Sequence, residues 1–126
     1  MLDVGLLACH ASVPVQALVY GDEAFEELKG ALTEQFVAQE LALMPLVEAY
    51  YWSAERAEAE VDFIVQRGAD ISPVEVKAAE NLQAKSLKSY RDKFAPARCY
   101  RVSLSPWREE SSLSDIPLYA VSRLWN

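Results

Sequence analysis

The 126-residue sequence has few of the residues on which several large protein classes depend. Its two cysteines, Cys9 and Cys99, lie far apart without CxxC spacing, which argues against a disulfide framework or a zinc site. Its single histidine, His10, has no neighbours that support Ser/His or Cys/His catalysis. No apolar run reaches the ~18 residues of a membrane helix, and no basic segment follows Met1. We therefore expect a cytoplasmic protein without a signal peptide or a membrane partner.

The sequence is also poor in glycine. Its four glycines form no GxxxxGK[ST] pattern, so nothing in it is predicted to cradle a nucleotide phosphate. The residues that are present, 52% hydrophobic and 25% charged, are typical of a globular domain. We predict a single domain over residues 1–126 with a core at about 21–122. Residues 1–20 begin abruptly in apolar sequence and are compatible with the tail of a missing upstream region.

Charge is distributed unevenly along the chain. The net charge is −7, but residues 1–60 carry 11 acidic and two basic residues, whereas residues 77–101 carry seven basic and two acidic residues. Local fields depend on where charges lie, so an acidic protein can still present a basic face. The region 77–101 is the candidate basic face.

Hydrophobic periodicity predicts two helices and five strands. Leu32, Phe36, Val37, Leu41 and Met44 give the first helix an apolar face. The predicted order is helix 21–44, interruptible at Gly30, strands 48–53, 59–66 and 71–78, helix 82–94, strand 97–105, polar loop 106–115 and strand 116–122. Tyr50, Tyr51 and Trp52 are expected to lie in the core. The order α-β-β-β-α-β-β predicts an α/β sandwich.

The two strands on either side of Gly68 carry charged residues where a buried strand would be apolar. If the hairpin is symmetric about Gly68-Ala69, Asp62 lies opposite Glu75 and Glu60 lies opposite Lys77. Alternation then places these four side chains on one face of the sheet. Like charges directly opposed on a sheet are destabilising, so this face needs compensation.

Three kinds of compensation are open. One carboxyl can hold a proton, Lys77 can neutralise part of the charge, or a divalent cation can bridge Asp62 and Glu75. Mg²⁺ favours one or two carboxylates together with water and phosphate oxygens. The alternative to any site is a solvated or salt-bridged sheet face, with Glu60 and Lys77 paired at its rim.

The segments "EVDFIV" and "PVEVKA" resemble the PD-(D/E)XK signature of the restriction-endonuclease-like superfamily. The resemblance implies an α-β-β-β-α-β core with a mixed sheet flanked by helices. It implies that Asp62 and Glu75 are metal-ligand carboxylates and that Lys77 positions water and stabilises the phosphate. The Val76 carbonyl is a further implied ligand, and "KGALTEQFVAQEL" offers Glu34 as the metal-binding glutamate that many members add from the first helix.

The resemblance is closer to one subgroup. The segments "LDVGLL", "LKGALTEQFVAQEL", "YYWSAERAEAEVDFIV", "PVEVKA" and "KSLKSY" together resemble the C-terminal domain of unknown function of bacterial and archaeal AAA-type ATPases. This implies a nuclease-like domain attached to an ATPase. Since this sequence lacks a P-loop, any ATP-coupled role would need an ATPase module or a partner chain.

Two functions follow as expectations. The first is a nuclease, or the remnant of one, that uses Mg²⁺ or Mn²⁺ and acts on DNA rather than RNA, with Lys85, Lys88 and Arg91 contacting the phosphate backbone. The second is a non-catalytic module that keeps the nuclease fold to dock nucleic acid or protein. Superfamily nucleases often dimerise, so a homodimer is compatible with either function.

Overall fold

The computed structural model describes residues 23–53, 60–78 and 85–125. The predictions for Cys9, His10 and segment 1–20 lie outside these residues. The helices are α1 (Glu23–Leu43), α2 (Lys85–Phe94) and a 3₁₀ helix (Leu118–Arg123). The strands are β1 (Glu48–Ser53), β2 (Glu60–Arg67), β3 (Asp70–Lys77), β4 (Cys99–Ser103), β5 (Arg108–Glu110) and β6 (Leu113–Pro117).

The six strands form one mixed sheet in the order β1-β2-β3-β4-β6-β5. Strands β1, β2 and β3 are antiparallel neighbours, and β3, β4 and β6 run parallel to one another. Parallel neighbours need a crossover connection, and α2 lies within the connection from β3 to β4. The predicted α/β class with a mixed sheet flanked by helices is confirmed.

One face of the sheet carries the main hydrophobic core. Helix α1 contributes Val37 and Leu41 to it, and the sheet contributes Val74 and Val76 from β3. The predicted apolar face of the first helix is thus correct at these positions. The cluster is completed by Met44, Val65, Val102, Ile116 and Val121. This core fixes α1 against β1 and β3, and so decides which α1 side chains reach the sheet.

An aromatic group packs α2 against the sheet. The ring of Trp52 lies edge-on to those of Tyr90 and Phe94, with centroids 5.2 and 6.0 Å apart. Such pairs add about 0.5–1.5 kcal/mol beyond their burial. The neighbouring tyrosines were expected in the core, and that is wrong: Tyr50 is 50% and Tyr51 is 65% exposed. Both lie on β1, which in the described part of the chain is an edge strand paired with β2 alone.

Three boundaries differ from the predicted ones. Helix α1 continues through Gly30, which has open space around it and no positive φ. The predicted loop 106–115 contains β5 and the start of β6, which pair with one another across a short turn. The predicted strand 116–122 is instead the end of β6 followed by the 3₁₀ helix. Within the described ranges, no helix is long and apolar enough to cross a membrane.

Candidate functional site: a carboxylate pair beside Lys77

The β2–β3 hairpin has the predicted register. Phe63 pairs with Val74, and every further pair down to Arg67 with Asp70 follows the same symmetry about Gly68-Ala69. Gly68 has a φ of +62°, the left-handed conformation that suits glycine in a tight turn. The backbone pairing of β2 with β3 extends no further than Phe63–Val74. Beyond it, the backbone N–H of Val76 donates to Oδ2 of Asp62 at 2.7 Å. At this end of the hairpin, the Asp62 carboxylate therefore accepts the hydrogen bond of a β3 backbone N–H beyond the last paired residues.

A β-bulge on β2 explains the position of Asp62. Tyr50 pairs with Ile64 and Trp52 pairs with Val61, so two β2 residues, Asp62 and Phe63, lie opposite the single residue Tyr51. Bulges re-aim side chains and disturb strand alternation. Both Asp62 and Phe63 line a cavity on the side of the sheet covered by α1.

The bulge overturns the prediction that all four charged side chains share one face. Val74 and Val76 pack into the core beneath α1, so alternation places Glu75 and Lys77 on the opposite face. Asp62 approaches the opening between β2 and β3 from the α1 side. The two carboxylates remain electrostatically coupled, since the charge of Asp62 raises the pKa of Glu75, although burial raises it more.

Glu75 and Lys77 form an ion pair along β3. Lys77 Nζ lies 3.0 Å from Oε1 of Glu75, whereas the alternative of a plain salt-bridged face paired Lys77 with Glu60 across the hairpin. Glu60 is exposed, and its backbone N–H donates to Oγ of Ser86. Glu75 is only 4% exposed, and its second oxygen, Oε2, is buried without a hydrogen-bond partner among the described residues. Most buried polar atoms have a partner, so this oxygen needs an explanation.

The carboxyl groups of the site hold their protons more tightly than isolated ones. Burial raises the pKa of Asp62, and the Val76 N–H and Lys77 only partly offset it. Burial likewise raises the pKa of Glu75, against the opposing effect of Lys77. Glu34 on α1 is largely exposed, yet partial burial of its carboxyl and the charge of Asp62 raise its pKa. Carboxyl groups with raised pKa values that cluster in this way are found in functional sites and also in structural ion-pair networks.

The donor set fits a divalent cation held by few protein ligands. Oε2 of Glu75 is an unpartnered buried acceptor, and Asp62 uses only Oδ2 for the hydrogen bond from Val76. Carboxylate oxygens with water and phosphate are the ligands that Mg²⁺ takes. The described residues contain no group of three or more acidic, histidine or cysteine side chains placed to hold a metal. A cation here would therefore depend on water or substrate oxygens for its remaining ligands.

Two buried charged residues next to the site, Arg101 and Asp115, were not identified from the sequence. Glu75, Arg101 and Asp115 occupy matching positions on β3, β4 and β6, so they form one row across the sheet. Arg101 binds Asp115 through two hydrogen bonds of 2.5 and 2.9 Å, and its charge also lowers the pKa of Glu75 against the larger effect of burial. The sequence feature that could have identified Arg101 is its position in "CYRVS", where the alternation of the strand places an arginine on an inward face.

The predicted basic face lies on α2. Leu87 and Tyr90 are buried, whereas Lys85, Lys88 and Arg91 are exposed. The helix therefore packs by Leu87 and Tyr90 and leaves these cations exposed to solvent. This arrangement suits either a phosphate contact or a solvated surface.

The solved structures that are similar to this chain include the following two. One is protein VC1899 from Vibrio cholerae, with 22% identity over 82% of this chain and a TM-score of 0.45. The other is a chain of an assembly of Thermococcus gammatolerans McrB AAA+ hexamers with bound McrC, with 14% identity over 73% of this chain and a TM-score of 0.41. The matches span 34% and 27% of those chains. No curated protein matches the sequence.

A family model matches residues 29–121, which include both strands of the hairpin, helix α2 and the row of buried charges. The model is described as "Domain of unknown function (DUF4143)". Because the match covers most of the sequence, the chain belongs to this family.

Proposed function

We propose that this domain hydrolyses phosphodiester bonds in nucleic acid, with DNA favoured over RNA, and requires Mg²⁺ or Mn²⁺. The observation that carries the proposal is the buried Oε2 of Glu75, which has no hydrogen-bond partner within the described ranges and belongs to a carboxylate coupled to Lys77 and Asp62. A buried carboxylate oxygen without a partner is costly, and a cation would satisfy it. The resemblance of "EVDFIV" and "PVEVKA" to the PD-(D/E)XK signature supports the same chemistry.

Each residue has a separate task in this proposal. Asp62 and Glu75 would reach one cation from the two faces of the sheet, beyond the last β2–β3 pair, Phe63–Val74. The hydrogen bond from Val76 N–H fixes the orientation of the Asp62 carboxylate there. The Val76 carbonyl and Glu34 are further candidate ligands. The cation, when bound, activates water and stabilises charge on the phosphate.

Lys77 supplies positive charge where negative charge develops. Its ammonium group lies at the end of β3, partly exposed and 3.0 Å from Glu75, so it can reach a phosphate oxygen or a water molecule without leaving the site. Preorganised charge of this kind is commonly the largest catalytic contribution. Arginine would not serve equally, because an ammonium is a compact charge with three donors.

The test is cleavage of supercoiled plasmid and branched DNA with Mg²⁺ or Mn²⁺. We expect Asp62→Ala and Lys77→Ala each to abolish cleavage while circular dichroism stays unchanged. The matched control is Asp92→Ala, which removes an exposed acid from α2. If cleavage persists in both site variants, the activity belongs to a contaminating nuclease and the proposal is wrong.

A second candidate is a non-catalytic module that docks nucleic acid, protein or an ATPase partner. It is favoured by the exposed cations of α2 and by the lack, among the described residues, of a group of three metal-ligating side chains. In this case Lys85→Glu with Lys88→Glu weakens DNA retention and flattens its salt dependence, whereas Asp62→Ala leaves retention unchanged. Wild-type retention by the double variant would exclude α2 as the contact surface.

A further inference from the structure

A cavity of about 420 Å³ opens beside Asp62. It lies between α1, β1 and β2, and its walls include Ala38, Ala42, Ala49, Tyr51, Asp62 and Phe63. Its volume falls in the range of about 300–1,000 Å³ that is usual for small-molecule pockets. A larger cavity of about 650 Å³ at the far end of β1 and β2 is lined by neither Asp62 nor Glu75. Of these two cavities, the smaller one meets the candidate site.

Sequence spacing explains why this cavity exists. Ala38 and Ala42 are four residues apart on α1, so they lie one above the other on the same helix face. They face the cavity with methyl groups only, opposite the small side chain of Ala49 on the edge strand β1. The bulge turns Phe63 and Asp62 toward the same space. The result is an apolar cavity with a carboxylate in its wall.

Tyr51 gives the cavity an aromatic wall open to solvent. The side chain is 65% exposed although it lies on a strand. Its hydroxyl donates a hydrogen bond to Glu60, and this bond raises the pKa of Tyr51. A ring anchored through its hydroxyl is preorganised, so less freedom is lost when a flat ligand stacks on it.

We propose that this cavity binds one unpaired nucleobase of the nucleic acid whose phosphate is held at Asp62, Glu75 and Lys77. The inference rests on the proposed function for the position of the phosphate. A base is joined to its phosphate through a single sugar, so a phosphate beside Asp62 leaves the neighbouring base within reach of a cavity that Asp62 itself lines.

The substrate class follows from the shape. A base that is stacked and paired in a duplex cannot enter a side cavity, whereas an unpaired or extruded base can. Stacking on an exposed aromatic ring tolerates any base, because every base has a π-face. The preferred substrates are therefore single strands, junctions and mismatched sites rather than intact duplex.

The first experiment uses adenosine, which carries a base but no phosphate, and measures its binding to the whole chain by saturation-transfer NMR. We expect saturable binding, and an affinity loss of about 5- to 150-fold for Tyr51→Ala, as expected for base–aromatic stacking. Tyr119→Ala, which removes a tyrosine that is exposed on the 3₁₀ helix, should bind as the wild type does. Ala38→Leu fills the cavity and should also abolish binding, which keeps the test valid if Tyr51→Ala folds poorly.

The second experiment compares an intact DNA hexamer with one that has a single abasic position, in Ca²⁺ by fluorescence anisotropy. Weaker binding of the abasic strand supports the proposal. Equal binding of both strands, or adenosine binding that ignores Tyr51→Ala and Ala38→Leu, overturns it. Cleavage of plasmid DNA together with equal binding of the intact and abasic strands would leave the nuclease proposal intact and refute this inference alone. Weaker binding of the abasic strand without any cleavage would do the reverse.

Discussion

Replacement of Arg101 by methionine tests how the buried charges support the sheet. Arg101 is 7% exposed and Asp115 is 2% exposed, and two hydrogen bonds join them. Removal of one partner of a buried ion pair costs about 3–5 kcal/mol. Arg108 still contacts Asp115 at 3.0 Å, so we expect the lower end, about 3 kcal/mol. This is a large part of the 5–15 kcal/mol by which typical domains are stable.

The assay is urea denaturation followed by tryptophan fluorescence at pH 7. A loss of about 3 kcal/mol lowers the urea midpoint by about 1.5 M if the slope is about 2 kcal/mol/M. The matched control is Arg108→Met, which removes a partner of the same carboxylate from a side chain that is 59% exposed. Exposed pairs contribute about 0–1 kcal/mol.

The double variant Arg101→Met with Asp115→Leu separates the two physical effects. Once both charges are gone, no ion remains buried without its partner, so the loss should be smaller than for Arg101→Met alone. Equal midpoint shifts for Arg101→Met and Arg108→Met would refute the reasoning, since burial would then make no difference. The reasoning would also be contradicted if the double variant lost more free energy of unfolding than the two single variants lose in total.

Three further predictions concern stability. Glu75→Gln should raise the thermal midpoint relative to the wild type at pH 7, and the difference should vanish toward pH 4. The reason is that folding raises the pKa of Glu75. The protonated carboxyl therefore contributes most to folding stability, and this contribution is lost as the pH rises through the folded pKa. Equal differences at both pH values would contradict this. Gly30→Ala should stabilise by about 1 kcal/mol, because the glycine lies inside α1 with open space around it. Gly68→Ala should destabilise by about 1–2 kcal/mol in the same urea assay, because its φ of +62° disfavours side chains; a neutral result would remove the strain argument.

The fold was predictable where local patterns act alone. The helical spacing of Val37 and Leu41 identified the inward face of α1, and the turn at Gly68-Ala69 set the hairpin register. The same reasoning failed for Tyr50 and Tyr51, because aromatic residues on a strand indicate burial only if both sides of the strand are covered. Whether β1 is an edge or a central strand is a property of the whole sheet.

The electrostatic coupling among the candidate site residues was predictable, but their geometry was not. Asp62, Glu75 and Lys77 are electrostatically coupled, as expected from the register. The bulge at Asp62 could not be foreseen, because it arises from the pairing of β2 with β1 rather than with β3. Arg101 became relevant only when the parallel alignment of β3 and β4 placed it beside Glu75.

Calorimetric titration with Mn²⁺ measures whether Asp62 and Glu75 share one cation beside Lys77. We expect a single saturable site in the wild type, its loss in Asp62→Asn and in Glu75→Gln, and its retention in the exposed-acid control Asp92→Asn. If the wild type takes up no Mn²⁺, or if all four proteins bind it equally, the carboxylate pair is a structural ion cluster and the proposed chemistry is wrong.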